Sequence, residues 1–201
     1  MDPERQRRLP VLPGAQHLGF RCNGCGDCCR TLRVAVTHHD LRRLSDELGR
    51  PAATLVDWLT PHAVDMTDEP GSFAELAGGR RMMVLAQTDG ECRLLNADQR
   101  CGAYAARPWD CRLYPLALER DQHGTLSRVS RLDQDGCGDE QTLPADLAQL
   151  SADDEQRWAE LADYQARLSR WNQLARHRRR FHHPLGTTDQ LLAFLGFSSE
   201  H

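Results

Sequence analysis

Residues 21–30 read RCNGCGDCCR and place four cysteines, Cys22, Cys25, Cys28 and Cys29, within eight positions. Four more follow at Cys92, Cys101, Cys111 and Cys137. Thiols used only for packing would not be grouped in this way. Cys22, Cys25 and Cys28 recur every third residue. That spacing can present three thiolates to one tetrahedral metal or to three corners of an iron–sulfur cube. Neighbouring cysteines point apart in most backbone conformations, so Cys29 is assigned to a second centre or to a different atom of a larger one. Eight thiols divide into two four-coordinate sites, which makes the late cysteines the missing partners of the early ones.

Zinc and iron–sulfur both stay open on this spacing. Zinc favours separate Cys-x-x-Cys knuckles, whereas three cysteines in a single run lean toward a cluster. Disulfides are disfavoured in a reducing compartment, and a vicinal Cys28–Cys29 disulfide would be strained. Gly follows Cys25, Cys101 and Cys137 and lets the backbone turn its N–H toward sulfur. Arg21, Arg30, Arg93, Arg107 and Arg112 flank the cysteines and could offset thiolate charge. All 25 basic residues are arginine, so these five read equally well as ordinary surface cations. Asp27, inside the cysteine loop, is read as a turn residue rather than a ligand. His38 and His39 could ligate a metal, but eight cysteines already fill two sites, and the pair falls in the first turn of a helix.

The elements that must aim these sulfurs are short. Pro3, Pro10 and Pro13 exclude a helix from the opening, leaving 1–17 as an arm or strand. Thr31–Val36 alternates enough for a short strand. Thr37 is predicted to cap a helix, with Asp40 completing a capping box, Leu41, Leu44 and Leu48 as its apolar stripe and Gly49 as its end. A second helix is expected over Pro51–Leu59 and a loop over 60–80. The strand RRMMVLAQ, the turn TDG and the return strand ECRLL make a hairpin that delivers Cys92. Pro108 starts one helical turn through Cys111, and a second hairpin, LALER to TLSRVSRL, leads to Cys137.

From 143 to 182 the chain reads as helix, acidic at its start and basic at its end. Leu161, Tyr164, Leu168, Trp171 and Ala175 form its packing stripe, with Trp158 and Trp171 read as core. Thr187 and Gln190 cap a last short helix that ends at Gly196. The expectation is an α+β fold in three parts. An N-terminal arm covers 1–17, a cysteine domain of short β-hairpins and helices covers 18–140, and a C-terminal helical segment covers 141–201.

CNGCGDCC followed by ECRLLNADQRCGAYAARPWDCRLYP resembles the YkgJ-type cysteine-cluster family, a zinc- or iron-chelating domain. The resemblance rests on Cys22, Cys25, Gly26, Cys28, Cys29, Cys92, Leu95, Cys101, Tyr104, Arg107, Pro108, Cys111, Arg112 and Pro115, and Cys137 fits the last cysteine of the pattern. It implies that the eight cysteines hold Zn2+ or an iron–sulfur cluster such as [4Fe–4S], in a bacterial cytoplasmic setting, and it implies no settled reaction. Tyr104, Arg107 and Arg112 lie between the cysteines and are read as groups that support the ligands from behind. The function expected is metal binding with a redox or metal-handling role. A similar cysteine domain occurs in flagellin lysine N-methylases, so protein methyl transfer is an alternative, although LAGGR is too short to serve as an S-adenosylmethionine loop. A zinc-stabilised interaction module is a further alternative.

The net charge of −4 excludes a whole-chain polyanion binder. No apolar run approaches the length of a bilayer span, and the opening residues lack the apolar centre of a signal peptide. A cytoplasmic protein with a protein or redox partner is expected, without membrane association. Nucleic acid is disfavoured, because RHRRRFHH at 176–183 reads as a solvated basic helix end.

Overall fold

The computed structural model describes residues 19–20, 24–64, 70–123, 126–131, 142–143 and 147–198. Cys22, Cys137, Arg21 and the arm expected at 1–17 lie outside them. The fold is mixed α+β, built from short antiparallel strand pairs with helices toward the C-terminus. Its centre is a three-stranded antiparallel sheet in the order β2 (Val56–Leu59), β4 (Gly79–Leu85), β3 (Ala74–Leu76). Three further pairs are β1 (Gly19–Phe20) with β9 (Thr142–Leu143), β5 (Gln87–Thr88) with β6 (Glu91–Cys92), and β7 (Leu116–Arg120) with β8 (Leu126–Arg131).

Local signals place the helices. α1 (Asp27–Thr31) starts after Gly26, which adopts φ 74°. α2 (His38–Leu48) begins at the Thr37–Asp40 capping box and ends at Gly49 in the left-handed region, as its sequence predicts. Leu41 and Leu44 are wholly buried. α3 (Trp109–Leu113) follows Pro108 and leads through a cis Tyr114–Pro115 bond into β7. α4 (Leu147–Arg180) runs for 34 residues, and α5 (Thr188–Phe194) is opened by the Thr187–Gln190 capping box. α4 ends basic as expected, but it starts before Ser151, so no acidic residue falls in its first turn.

Three expectations give way, two of them to sheet pairing. Pro51–Leu59 is not a helix. One 3-10 turn, Ala52–Thr54, leads into β2, whose Val56 and Trp58 pair with Leu85 and Met83. β-branched and aromatic side chains suit that half-buried strand once β4 offers its edge. The expected loop at 60–80 contains β3 and a 3-10 turn at Pro70–Ser72. Thr31–Val36 forms no full strand: Thr31 closes α1, and a single Ala35–Val84 bridge ties Val34–Val36 to β4.

The main core joins α2, the sheet, α4 and α5 through residues such as Leu44, Met83, Leu168 and Leu191, and Cys92, Cys101 and Cys111 pack against its edge. Tyr164, Leu168, Trp171 and Ala175 are buried as the stripe requires. Trp158 is not core. It stays 44% exposed, with the Arg120 and Arg157 guanidinium groups each 5.8 Å from its ring centroid.

Candidate metal centre

Three stretches of chain bring six cysteines together. The first is the turn into α1. Gly26 accepts backbone hydrogen bonds from Cys29 and Arg30, and Arg30 reaches back to the Cys25 carbonyl at 3.1 Å and to Asp27. The second is the β5–β6 hairpin, which delivers Cys92. Its turn residues Asp89 and Gly90 both have positive φ, as a tight Asp-Gly hairpin turn demands. The third covers 94–113. A Leu95–Cys101 bridge and a Gly102 N–H to Leu94 carbonyl bond close the loop that carries Cys101, and α3 carries Cys111.

These three stretches enclose a cavity of about 410 Å³ lined by Cys25, Cys28, Cys29, Cys92, Cys101 and Cys111. A second cavity of about 400 Å³ adjoins it, and Cys28, Cys29, Cys92 and Cys111 line both. The rest of the second cavity is mainly aliphatic, with Leu113, Leu116 and Leu118 among its walls. None of the six described cysteines is in a disulfide.

One detail corrects the sequence reading. Cys28 and Cys29 do not point apart: their sulfurs lie 4.0 Å from one another in hydrogen-bond contact. Helical backbone in α1 rotates successive side chains by only about 100°. The hydrogen bond from Cys29 pulls the Cys28 thiol down to about 6, with Arg107 adding a favourable charge, and the same contact pushes Cys29 up. Burial raises Cys92 and, far more, Cys111, and neighbouring sulfurs add to it in both. Burial also raises Cys25.

The flanking residues divide by role. Arg107 and Tyr104 line the cavity that all six cysteines share, and the Arg107 guanidinium stacks 3.6 Å from the Tyr104 ring centroid. Arg112 lines neither cavity. It donates to the carbonyls of Arg107 and Ala105 and so braces the loop that presents Arg107. Arg93 reaches the Thr54 carbonyl and the β5 strand instead of a sulfur. Asp27 pairs with Arg30 at the start of α1.

The supports behind α3 were missed by sequence reasoning. Asp40, read only as a cap, also accepts the Trp109 backbone N–H at 3.1 Å. Glu160 on α4 accepts the Trp109 indole N–H at 2.9 Å and two bonds from Arg43. Arg157 pairs with Asp110 at 2.8 Å. Only the capping motif at Asp40 left a signal in the sequence. His38 and His39 converge on Asp163 of α4, and they line neither cysteine cavity.

Cysteines outside any disulfide, gathered around a cavity at the edge of a small α+β core, are an arrangement that suits a metal-chelating cysteine domain. The chain belongs to one such family: residues 21–138 match CxxCxxCC, described as "Putative zinc- or iron-chelating domain", the YkgJ-type family. No curated protein and no solved structure matches the chain. Among the described residues no helix is long and apolar enough to cross a membrane.

Proposed function

We propose that the cysteines hold an iron–sulfur cluster of the [4Fe–4S] type, and that the chain serves electron transfer or metal handling with a protein partner. The spacing of the sulfurs carries this reading. Six cysteines line one cavity of about 410 Å³. Yet among the described residues the only trio of ligating atoms drawn within 4.8 Å of one another is His38, His39 and Asp163, with no cysteine in it. A single zinc at about 2.3 Å from each thiolate gathers four sulfurs to about 3.8 Å. A cluster interposes iron and sulfide and is held by thiolates standing further apart. Cys25, Cys28, Cys29, Cys92, Cys101 and Cys111 are the proposed ligands within the described residues, and the sequence pattern adds Cys22 and Cys137.

When bound, such a cluster supplies one-electron chemistry. The residues of the chain set its surroundings. Arg107 offsets thiolate charge at the cavity wall, Tyr104 backs its guanidinium, and Arg112 fixes the loop that carries both. The aliphatic wall of the adjoining cavity makes the surroundings of the shared face less polar.

One observation favours zinc instead. The 4.0 Å between Cys28 and Cys29 is close to one edge of a zinc tetrathiolate. Anaerobic purification followed by metal analysis separates the two. The proposal expects a brown protein with iron and matching acid-labile sulfide. A colourless protein with about two zinc ions per chain would establish the zinc reading in its place.

A further inference from the structure

His38 and His39 open α2, and Asp163 sits midway along α4. The Nε2 atoms of His38 and His39 lie 3.2 and 2.9 Å from a single atom, Asp163 Oδ2. Arg167 places its Nε 3.1 Å from the same oxygen. His39 and Arg167 hydrogen-bond to that oxygen, whereas His38 approaches it without a hydrogen bond and its Nδ1 is buried with no hydrogen-bond partner. The rings are held in place: His38 is 3% exposed, its centroid is 4.0 Å from that of His39, and Tyr164 stacks on its other side.

We propose that His38, His39 and Asp163 form a second metal site, separate from the cysteine cavity, which takes one divalent first-row transition ion through two imidazoles and one carboxylate. Ligand atoms bound about 2.0–2.1 Å from such an ion and 90–110° apart are about 2.8–3.4 Å from one another, and the two Nε2–Oδ2 separations fall in that range. An ion would sit between the two imidazoles and the carboxylate, in place of the ring protons that face Oδ2. It takes one lone pair of Oδ2 and leaves the other to Arg167, which orients the carboxylate. The half-exposed face of His39 leaves positions open for water or a further ligand.

The choice of ion follows from charge. Arg167 already offsets the single carboxylate, and Arg42 adds to the positive field. A hard cation that depends on several carboxylates gains little here. Imidazole nitrogens suit zinc, cobalt or nickel. The site is independent of the cluster proposal. None of its residues lines either cysteine cavity, and Asp163 lies outside the family match at 21–138. The rival account is an ordinary ion network that joins two helices.

Cobalt(II) decides between them. It is added under anaerobic conditions to the full-length protein with its cysteine centre filled as purified, and bound metal is counted by native mass spectrometry. Wild type is expected to take up one further cobalt with visible bands of nitrogen and oxygen ligation. H39Q and D163N should bind it about tenfold or more weakly, with the metal of the cysteine centre unchanged. No further cobalt in wild type, undiminished uptake by either folded variant, or thiolate-to-cobalt charge transfer in place of those bands would overturn the site. Circular dichroism checks each fold, and if D163N does not fold, H39Q decides, because His39 lies at the surface.

Discussion

Gly26 leaves the cysteine turn no room for a side chain. It holds φ 74°, and an added Cβ would stand 3.0 Å from the Gln99 carbonyl oxygen and 3.2 Å from both the Arg30 guanidinium and Leu95. A Gly26→Ala variant is expected to lose about 1–3 kcal/mol from the strained backbone and to spoil the aim of Cys25 and Cys28. Chemical denaturation and metal content should fall together. Retention of both would show that this turn does not position the sulfurs. At the same scale, Cys101→Ser is expected to lower bound metal sharply while leaving the helical signal of α4 in far-ultraviolet circular dichroism. Full metal retention would remove Cys101 from the proposed ligand set.

Among elements, α3 is the piece whose support comes from furthest away. Five residues cannot hold a helix on their own, and α3 is pinned at Trp109 by Asp40 and Glu160 and at Asp110 by Arg157. Trp109→Phe keeps the ring and removes the indole donor. It should cost about 0.5–1.5 kcal/mol and slow metal loading through Cys111 more than it changes the melting of α4, as stopped-flow reconstitution would reveal. The β3 edge is held by a different clip. Asn172 accepts the Glu75 N–H at 2.8 Å and donates to the Phe73 carbonyl at 2.9 Å. Asn172→Ala leaves both backbone groups without that partner, and a loss of about 1–3 kcal/mol is expected in urea titration.

Over the whole molecule, α4 acts as a spine that the other elements meet through charge. Asp154 pairs with Arg120 of β7, Glu160 with Arg43 of α2, and Arg179 with Glu75 of β3. Burial would raise the Glu160 carboxyl, but hydrogen bonds from Gln156, Arg43 and Trp109 outweigh it and hold the group below the usual carboxylate range. A depressed folded value means that the stabilisation is present above the unfolded value, 4.5, and is lost as pH falls through the folded value. Melting temperature should therefore drop on acidification below about pH 4.5, beyond the general effect of positive charge. Glu160→Gln should be less stable than wild type at pH 7, with the gap closing in acid. A gap that stays constant from pH 7 to pH 3 would count against this role.

The sequence by itself determined what depends on neighbours along the chain. Both capping boxes, the Asp-Gly hairpin under Cys92, the turn of helix at Cys111, the β7–β8 hairpin and the buried stripe of α4 rest on contacts a few residues apart. The cysteine pattern and the family were legible for the same reason, since ligand spacing is itself local. Tertiary structure decided the rest. Val56–Leu59 became a strand because β4, over twenty residues later, supplied an edge. Trp171 is buried against the Glu75 carbonyl while Trp158, on the same helix, faces solvent. The meeting of His38 and His39 with Asp163, and of Cys28 and Cys29 with Cys92, Cys101 and Cys111 around one cavity, is a matter of where folded elements point. Pairing energies between distant segments exist only once the chain has closed on itself, so no local pattern carries them.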